Sequence, residues 1–227
     1  MVIFPNNEVR IEYDNTYDQQ MIEIVERIED DLMLIVNPIE NGESSVTSFP
    51  KYAVLGRLKL KINIPNGKTR ITIEGLERVE ISSFTEEGNF FRANYKKIII
   101  PEEEEKDYYA ILVKSLENYV SKVPYMGNAI MSQLNGITNL SDLCDLIASF
   151  LPINYTDKRK YITTISPITR AKYLMEDMNK DLKLVELERE IEQEVEKELS
   201  DTQKEYFLRE KISIFREKIR FFSGICI

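Results

Sequence analysis

The 227-residue sequence contains no histidine and no tryptophan, and only two cysteines. Without histidine, the chain cannot build a serine-histidine-aspartate triad, use an imidazole base, or bind zinc or haem through an imidazole. Two thiols are too few for a four-cysteine metal site or a disulfide framework. The composition therefore excludes the histidine-dependent enzymes and the metal centres that rely on several cysteines.

The sequence also has fewer basic than acidic residues. It contains 30 lysines and arginines and 39 aspartates and glutamates, which gives a net charge of -9. Proteins that bind nucleic acid or anionic membranes without specific contacts rely on a basic surface that releases counterions. The sequence also lacks an uncharged apolar run of about 18 residues and a signal-peptide pattern at its N-terminus. We therefore expect a cytoplasmic protein that contacts neither membranes nor nucleic acid.

Recognisable motifs of enzyme chemistry are missing too. The tripeptide Gly67-Lys68-Thr69 resembles the end of a phosphate-binding loop, but Ile62 stands where that loop needs another glycine. The pattern predicts a strand after this tripeptide, whereas phosphate is held by the N-terminus of a helix. We predict no catalytic, cofactor-binding or metal-ligating residue, and expect binding or assembly rather than catalysis.

The first hundred residues are rich in short apolar and β-branched runs. Residues 18–31 show helical spacing, with four apolar side chains on one face. The run 32–36 is continuously apolar, which predicts a buried strand, and a polar loop is expected at 37–50. Further strands are predicted at 2–4, 9–13, 52–64, 69–76, 79–81 and 90–100. This half is expected to form a small twisted sheet or a partly closed barrel.

The clearest local signal is a hairpin. Two runs of alternating apolar and polar residues, 52–64 and 69–76, flank the sequence Pro65-Asn66-Gly67-Lys68. Asn-Gly between alternating runs is typical of a tight hairpin, because both central residues of a type I′ turn need positive φ.

Composition changes at Pro101, where a helical half begins. Proline suits the first turn of a helix and acids favour the positive end of its dipole, so Pro101 followed by residues 102–105, all glutamate, predicts a helix start. A carboxylate metal site is the alternative, but consecutive side chains cannot all face one ion.

Ser141 and Asp157 are interpreted as caps or first-turn residues. Cys144 is expected in the core, with a reactive thiol as the alternative. Further helices are predicted at 127–134, 140–150, 155–162 and 168–178.

Residues 181–222 contain neither glycine nor proline and predict one long helix. Forty residues of helix span about 60 Å, whereas a globule of this size has a radius of gyration of about 17 Å. We therefore expect a helix too long to lie wholly within one compact core. Its apolar residues recur at coiled-coil spacing, most regularly at Leu208, Ile212, Phe215, Ile219 and Phe222. Two interpretations remain open: an intramolecular seam, or contact with another subunit or a client protein.

Several segments together resemble the N-terminal region of bacterial Lon proteases. Residues 2–5 (VIFP) resemble the family's Val-Val-Phe-Pro opening, and residues 64–78 (IPNGKTRITIEGLER) resemble its hairpin followed by a Val-Glu-Gly-Leu/Ile-x-Arg strand. Residues 142–152 (DLCDLIASFLP) and 202–211 (TQKEYFLREK) resemble two further stretches of that family. Order and spacing agree along nearly the whole chain. The sequence departs from the family in two places. It starts inside the strand with which the family's sequence is expected to open, and residues 221–227 do not resemble the family's continuation.

The resemblance implies an α+β fold with a β-rich, PUA-like N-terminal subdomain at 1–100, a helical bundle at 101–180 and a long helix at 181–227. It implies a substrate-recognition and assembly region of an ATP-dependent serine protease in protein quality control, with the ATPase and Ser-Lys peptidase modules beyond this chain. The expected partners are unfolded or damaged proteins and other copies of the chain, which form a hexamer in the full-length family. The alternatives are a standalone adaptor or regulator and, in a third class, an independent hydrolase.

The residues expected to contact a client or another subunit lie on the long helix. Apolar capture of exposed segments needs apolar side chains that the chain's own core leaves available. The candidates are Tyr206, Phe207, Ile212, Phe215 and Ile219.

Overall fold

The computed structural model describes residues 2–13, 16–28, 30–37, 49–64, 68–88, 90–99 and 105–223. Within these residues the chain forms five strands followed by helices, with one helix inserted early, so the expected α+β class is confirmed. The strands are β1 (Glu8–Tyr13), β2 (Leu32–Ile35), β3 (Tyr52–Asn63), β4 (Thr69–Glu87) and β5 (Phe90–Lys97). The helices are α1 (Thr16–Ile28), α2 (Lys106–Lys122), α3 (Pro124–Leu134), α4 (Leu140–Phe150), α5 (Tyr155–Thr163) and α6 (Pro167–Ser223).

The sheet is antiparallel and is organised around β4. Strand β3 pairs with one edge of β4, and β2 extends the sheet beyond β3. The other edge of β4 takes two partners in succession, because β1 pairs with residues 69–74 and β5 with residues 79–87. The predicted β3–β4 hairpin is confirmed, and its Asn-Gly turn lies outside the described residues.

Three strand predictions were wrong in detail. Residues 2–4 are not a strand, because a turn at Asn6, with φ of 61°, takes the chain out of the ladder before them. The runs 69–76 and 79–81 belong to a single 19-residue strand. Strand β2 is only half-buried, because it lies at the edge of the sheet and β3 is its one described neighbour.

Helix boundaries differ as well. Helix α1 ends at Ile28 rather than at residue 31, and α3 starts at Pro124 rather than at residue 127. Helix α2 starts at Lys106, and Glu105 precedes it, so the predicted start at Pro101 was wrong; residues 101–104 lie outside the described part. Helix α6 is continuous from Pro167, where two helices had been predicted. The caps of α4 and α5 are Asn139 and Asn154, whose side chains accept the amides of Asp142 and Asp157 at 2.8 and 2.9 Å.

The chain divides into two compact units, residues 1–179 and residues 180–227. The division into subdomains at 1–100, 101–180 and 181–227 stays a prediction. The first unit holds the sheet and the helices through the start of α6.

The two faces of the sheet are covered differently. One face packs against α1 through Ile22 and Val25, which contact buried residues of β3 and β4. The opposite face carries a second cluster, whose partly buried members are Leu32, Leu34, Val36, Leu76, Phe84 and Ala93 around buried Ala53, Leu55, Val79 and Ile81.

A buried ionic cluster fixes the sheet against the helices. Arg78 of β4 donates both terminal nitrogens to the two carboxylate oxygens of Asp145 on α4, and donates to the carbonyl of Tyr161 on α5 at 3.1 Å. Arg170 of α6 donates to the same carboxylate at 2.6 Å and to the hydroxyl of Ser141 at 2.7 Å. Four elements therefore meet in one cluster, and all three charged side chains are buried. Ser141 lies in the first turn of α4, one of the two positions predicted for it, and its hydroxyl contributes to this cluster.

Candidate protein-binding surfaces

Apolar side chains remain exposed along the second unit. Tyr206 is 68% exposed and Ile212 is 51% exposed, so both are available to another molecule. The side chains of the other three predicted contacts, at positions 207, 215 and 219, lie outside the described residues. Further exposed apolar side chains occur at helical spacing earlier on α6, at Leu184, Leu187, Ile191 and Val195.

The charged side chains next to Tyr206 on α6 are exposed to solvent. Arg209 and Glu205 form an ion pair at 2.5 Å across one turn of α6, and both are exposed. Such a pair is worth only about 0.3–0.5 kcal/mol, so it offers little resistance to rearrangement when a partner binds.

The first unit offers a different surface, formed by the second face of the sheet near β5. Phe49 packs against Phe84 and Phe91, with ring centroids 4.7 and 5.3 Å apart. Tyr95, opposite Ile81 in the β4–β5 register, is 40% exposed. This surface was not predicted from the sequence. The alternation in β5 predicts a strand, but no local pattern tells which face another layer covers.

Within the part of the chain that the structure describes, the reactive side chains are buried or serve packing. Cys144 is buried, and burial raises the pKa of its thiol to about 12, so the expected core role is confirmed. Burial also raises the pKa of Tyr161, whose hydroxyl donates to Asp177. Among the described residues, no group of three or more acids or cysteines could hold a metal ion. Lys68 is followed directly by β4, so the segment after it is a strand, as expected.

No described helix is both long and apolar enough to span a membrane. The two candidate surfaces, on α6 and on the second face of the sheet near β5, offer apolar area that another molecule can contact. This arrangement can bind polypeptide.

Comparison with known proteins agrees with the architecture. Residues 1–180 match the model of the "ATP-dependent protease La (LON) substrate-binding domain". The chain is 29% identical over 161 residues to a Lon protease of Buchnera aphidicola, covering 70% of this chain and 21% of the relative. It is 31% identical over 168 residues to a Lon protease of Bacillus thuringiensis, covering 73% of this chain and 21% of the relative.

A solved structure shares the fold. The N-terminal domain of a Mycobacterium avium complex Lon protease superposes with a TM-score of 0.65 at 18% identity, covering 78% of this chain and 92% of that one. The chain spans about a fifth of the length of the two curated relatives.

Proposed function

The chain belongs to the Lon substrate-binding domain family, and from that premise we propose that it captures unfolded or damaged protein chains in the cytoplasm for an ATP-dependent protease. The recognition is non-catalytic: it holds a client polypeptide, while hydrolysis of ATP and of peptide bonds belongs to other modules. Other copies of the chain are the second class of partner, because capture by several copies around a ring multiplies a weak single contact.

The observation that carries the proposal is the row of exposed apolar side chains on α6. Single exposed apolar residues are ordinary, but here they recur at helical spacing from Leu184 to Val195 and again around Ile212. An apolar stripe on a helix binds another polypeptide by removing its own area and the partner's from water. Unfolded clients expose such area, whereas folded proteins bury most of it.

Capture is tested by retaining clients on the immobilised full chain. The probe is reduced and alkylated α-lactalbumin, which stays unfolded, and the native protein is its control. We expect the unfolded form to be retained and the native form to wash through. Equal retention of both forms, or of neither, refutes the proposal.

The contact residues are tested with a double variant, Tyr206→Ser with Ile212→Ser. Fully burying one such side chain is worth about 1.5–3 kcal/mol, so losing two contacts is expected to weaken capture by at least about tenfold. Gln203→Ser, on the same helix, is the matched control and should bind as the parent does. If the double variant also binds as the parent does, Tyr206 and Ile212 are not the contact residues.

The same stripe serves assembly in the second part of the proposal. Exposed apolar positions at coiled-coil spacing suit pairing between copies. Size-exclusion chromatography with light scattering over a range of concentrations measures this directly. If the chain is a monomer at every concentration, the stripe binds clients but does not mediate assembly.

A further inference from the structure

Strand β5 forms an open edge of the sheet in the described part of the chain, since β4 is its one partner there. It is eight residues long, compared with six in β1 and four in β2. It contains neither proline nor glycine, the residues that commonly interrupt an edge. An edge of this kind presents a row of backbone donors and acceptors to an incoming strand.

The register shows which backbone groups of β5 face outward. The amide of Ile81 donates to the carbonyl of Lys51, which lies on the side of β4 away from β5, at 2.8 Å. Ile81 is opposite Tyr95, so this pair is one of the non-hydrogen-bonded pairs of an antiparallel ladder. The N–H and C=O of Tyr95 therefore point away from β4, and by alternation those of Ala93 and Phe91 do too.

The side chains of β5 divide into two chemical classes by face. Phe91, Ala93 and Tyr95 share the apolar second face of the sheet with Phe49 and Phe84. Because side chains alternate along a strand, Arg92, Asn94 and Lys96 lie on the opposite face. Residues 90–97 contain three cations and no acid, although Arg92 pairs with Glu87 of β4 at 3.3 Å and Lys97 pairs with Glu77 of β4 at 3.0 Å.

We propose that the outer edge of β5 binds an extended segment of an unfolded polypeptide by strand addition, and that it prefers segments in which apolar residues alternate with acidic ones. Paired strands place opposed side chains on the same face. The apolar residues of the added strand then lie beside Phe91, Ala93 and Tyr95. Its acids lie beside Lys96 and beside Arg92, where they compete with Glu87 of β4. This inference rests on the proposed client recognition and specifies how the client's backbone is held.

The first test changes only the ligand. A fluorescein-labelled peptide that alternates glutamate with valine or phenylalanine is titrated with the full chain, and binding is followed by fluorescence anisotropy. Its twin carries the same side chains, with alternate backbone amides N-methylated so that they cannot donate. We expect the methylated twin to bind at least about tenfold more weakly, because several hydrogen bonds are lost. Equal binding of the two peptides overturns strand addition.

A second peptide tests the charge preference. Replacing each glutamate by lysine keeps the alternation and the backbone but puts like charges beside the cations of β5. Weaker binding of the lysine peptide, with a difference that shrinks at high salt, is the expected result. If it binds as well as the glutamate peptide, the acidic preference is wrong.

The protein side is tested with Ala93→Pro. Proline removes the outward N–H of residue 93 without removing a bond to β4, and edge strands tolerate proline in that position. Ala93→Val keeps the N–H and is the matched control. We expect Ala93→Pro to lose peptide binding by about tenfold or more, while Ala93→Val keeps it. Should Ala93→Pro fail to fold, the methylated peptide alone decides.

The outcome for unfolded α-lactalbumin separates this inference from the proposed function. If the parent chain retains the unfolded protein but neither N-methylation nor Ala93→Pro has an effect, strand addition fails and client capture stands. If the parent chain retains no unfolded protein, client capture itself fails.

Discussion

Asp145→Asn is expected to destabilise the first unit more than any surface change does. The substitution keeps the size of the side chain and removes its negative charge. Arg78 and Arg170 then remain as two buried cations with no carboxylate between them, since both now donate to Asp145. The Nε atoms of both arginines are buried and have no hydrogen-bond partner among the described residues, so the cluster already carries a desolvation cost.

The magnitude follows from the burial of the cluster. Removing one partner of a buried ion pair costs about 3–5 kcal/mol. One carboxylate serves two guanidinium groups here, so we expect a loss near the upper end of that range. Single domains are stable by only about 5–15 kcal/mol, and a loss of about 4 kcal/mol shifts a urea midpoint by about 2 M.

The assay is urea unfolding followed by near-ultraviolet circular dichroism. The chain has no tryptophan, so this signal reports the packing of tyrosines, and Tyr119 and Tyr161 are buried in the first unit. Asp142→Asn is the matched control: it removes a carboxylate from the first turn of α4, where a helix dipole contributes about 0.3–1 kcal/mol. A midpoint for Asp145→Asn no lower than that of Asp142→Asn would refute the reasoning.

A triple variant separates the cost of an unpaired charge from the loss of hydrogen bonds. Replacing all three charges by apolar residues, with Arg78→Met, Asp145→Leu and Arg170→Met, leaves no unpaired charge in the core. Such replacements are often neutral or stabilising, so the triple variant should unfold at higher urea than Asp145→Asn. If it unfolds at lower urea, the hydrogen bonds rather than the charges hold the cluster.

Three further predictions concern the first unit. Gly75→Ala should lower stability by about 1–3 kcal/mol in urea unfolding, because a Cβ there would lie 2.2 Å from the carbonyl oxygen of Phe4; an unchanged midpoint would contradict this. Asn139→Ala should cost about 1 kcal/mol, because its side chain caps α4 by accepting the amide of Asp142, and Asn139→Ser should restore most of that loss. The thiol of Cys144 should stay unmodified by iodoacetamide at pH 8 in the folded protein and react after unfolding, because burial keeps its pKa far above that pH; mass spectrometry of the peptide containing Cys144 measures both states.

Local patterns predicted local structure well. The β3–β4 hairpin follows from two alternating runs around an Asn-Gly pair, and both runs form strands that pair with each other. Helix α4 starts and ends where its apolar spacing predicted. Ser141 was interpreted as a cap or a first-turn residue, and it lies in the first turn, since Asn139 is the cap. Both residue types favour the cap position, and only geometry distinguishes them.

Features that depend on distant residues were not predictable in this way. Arg78 and Asp145 are 67 positions apart, and nothing in either local sequence indicates that they meet. The open edge of β5 is similar: its alternation predicts a strand but not its place beside β4. Of the predicted contacts on α6, Tyr206 and Ile212 are exposed as client binding requires, and their role stays a prediction.

The arrangement of β4 has a consequence for the order in which the chain folds as it is synthesised. Strand β1 leaves the ribosome early, yet its partners are residues 69–74 of β4. At a synthesis rate of about 5–20 residues per second, β1 waits for several seconds before its partner exists. The β3–β4 hairpin closes a far shorter loop, so it has the lower entropic cost and forms first. Strand β1 is therefore added to a sheet that later residues have begun, and its apolar residues Val9 and Ile11 need protection until then.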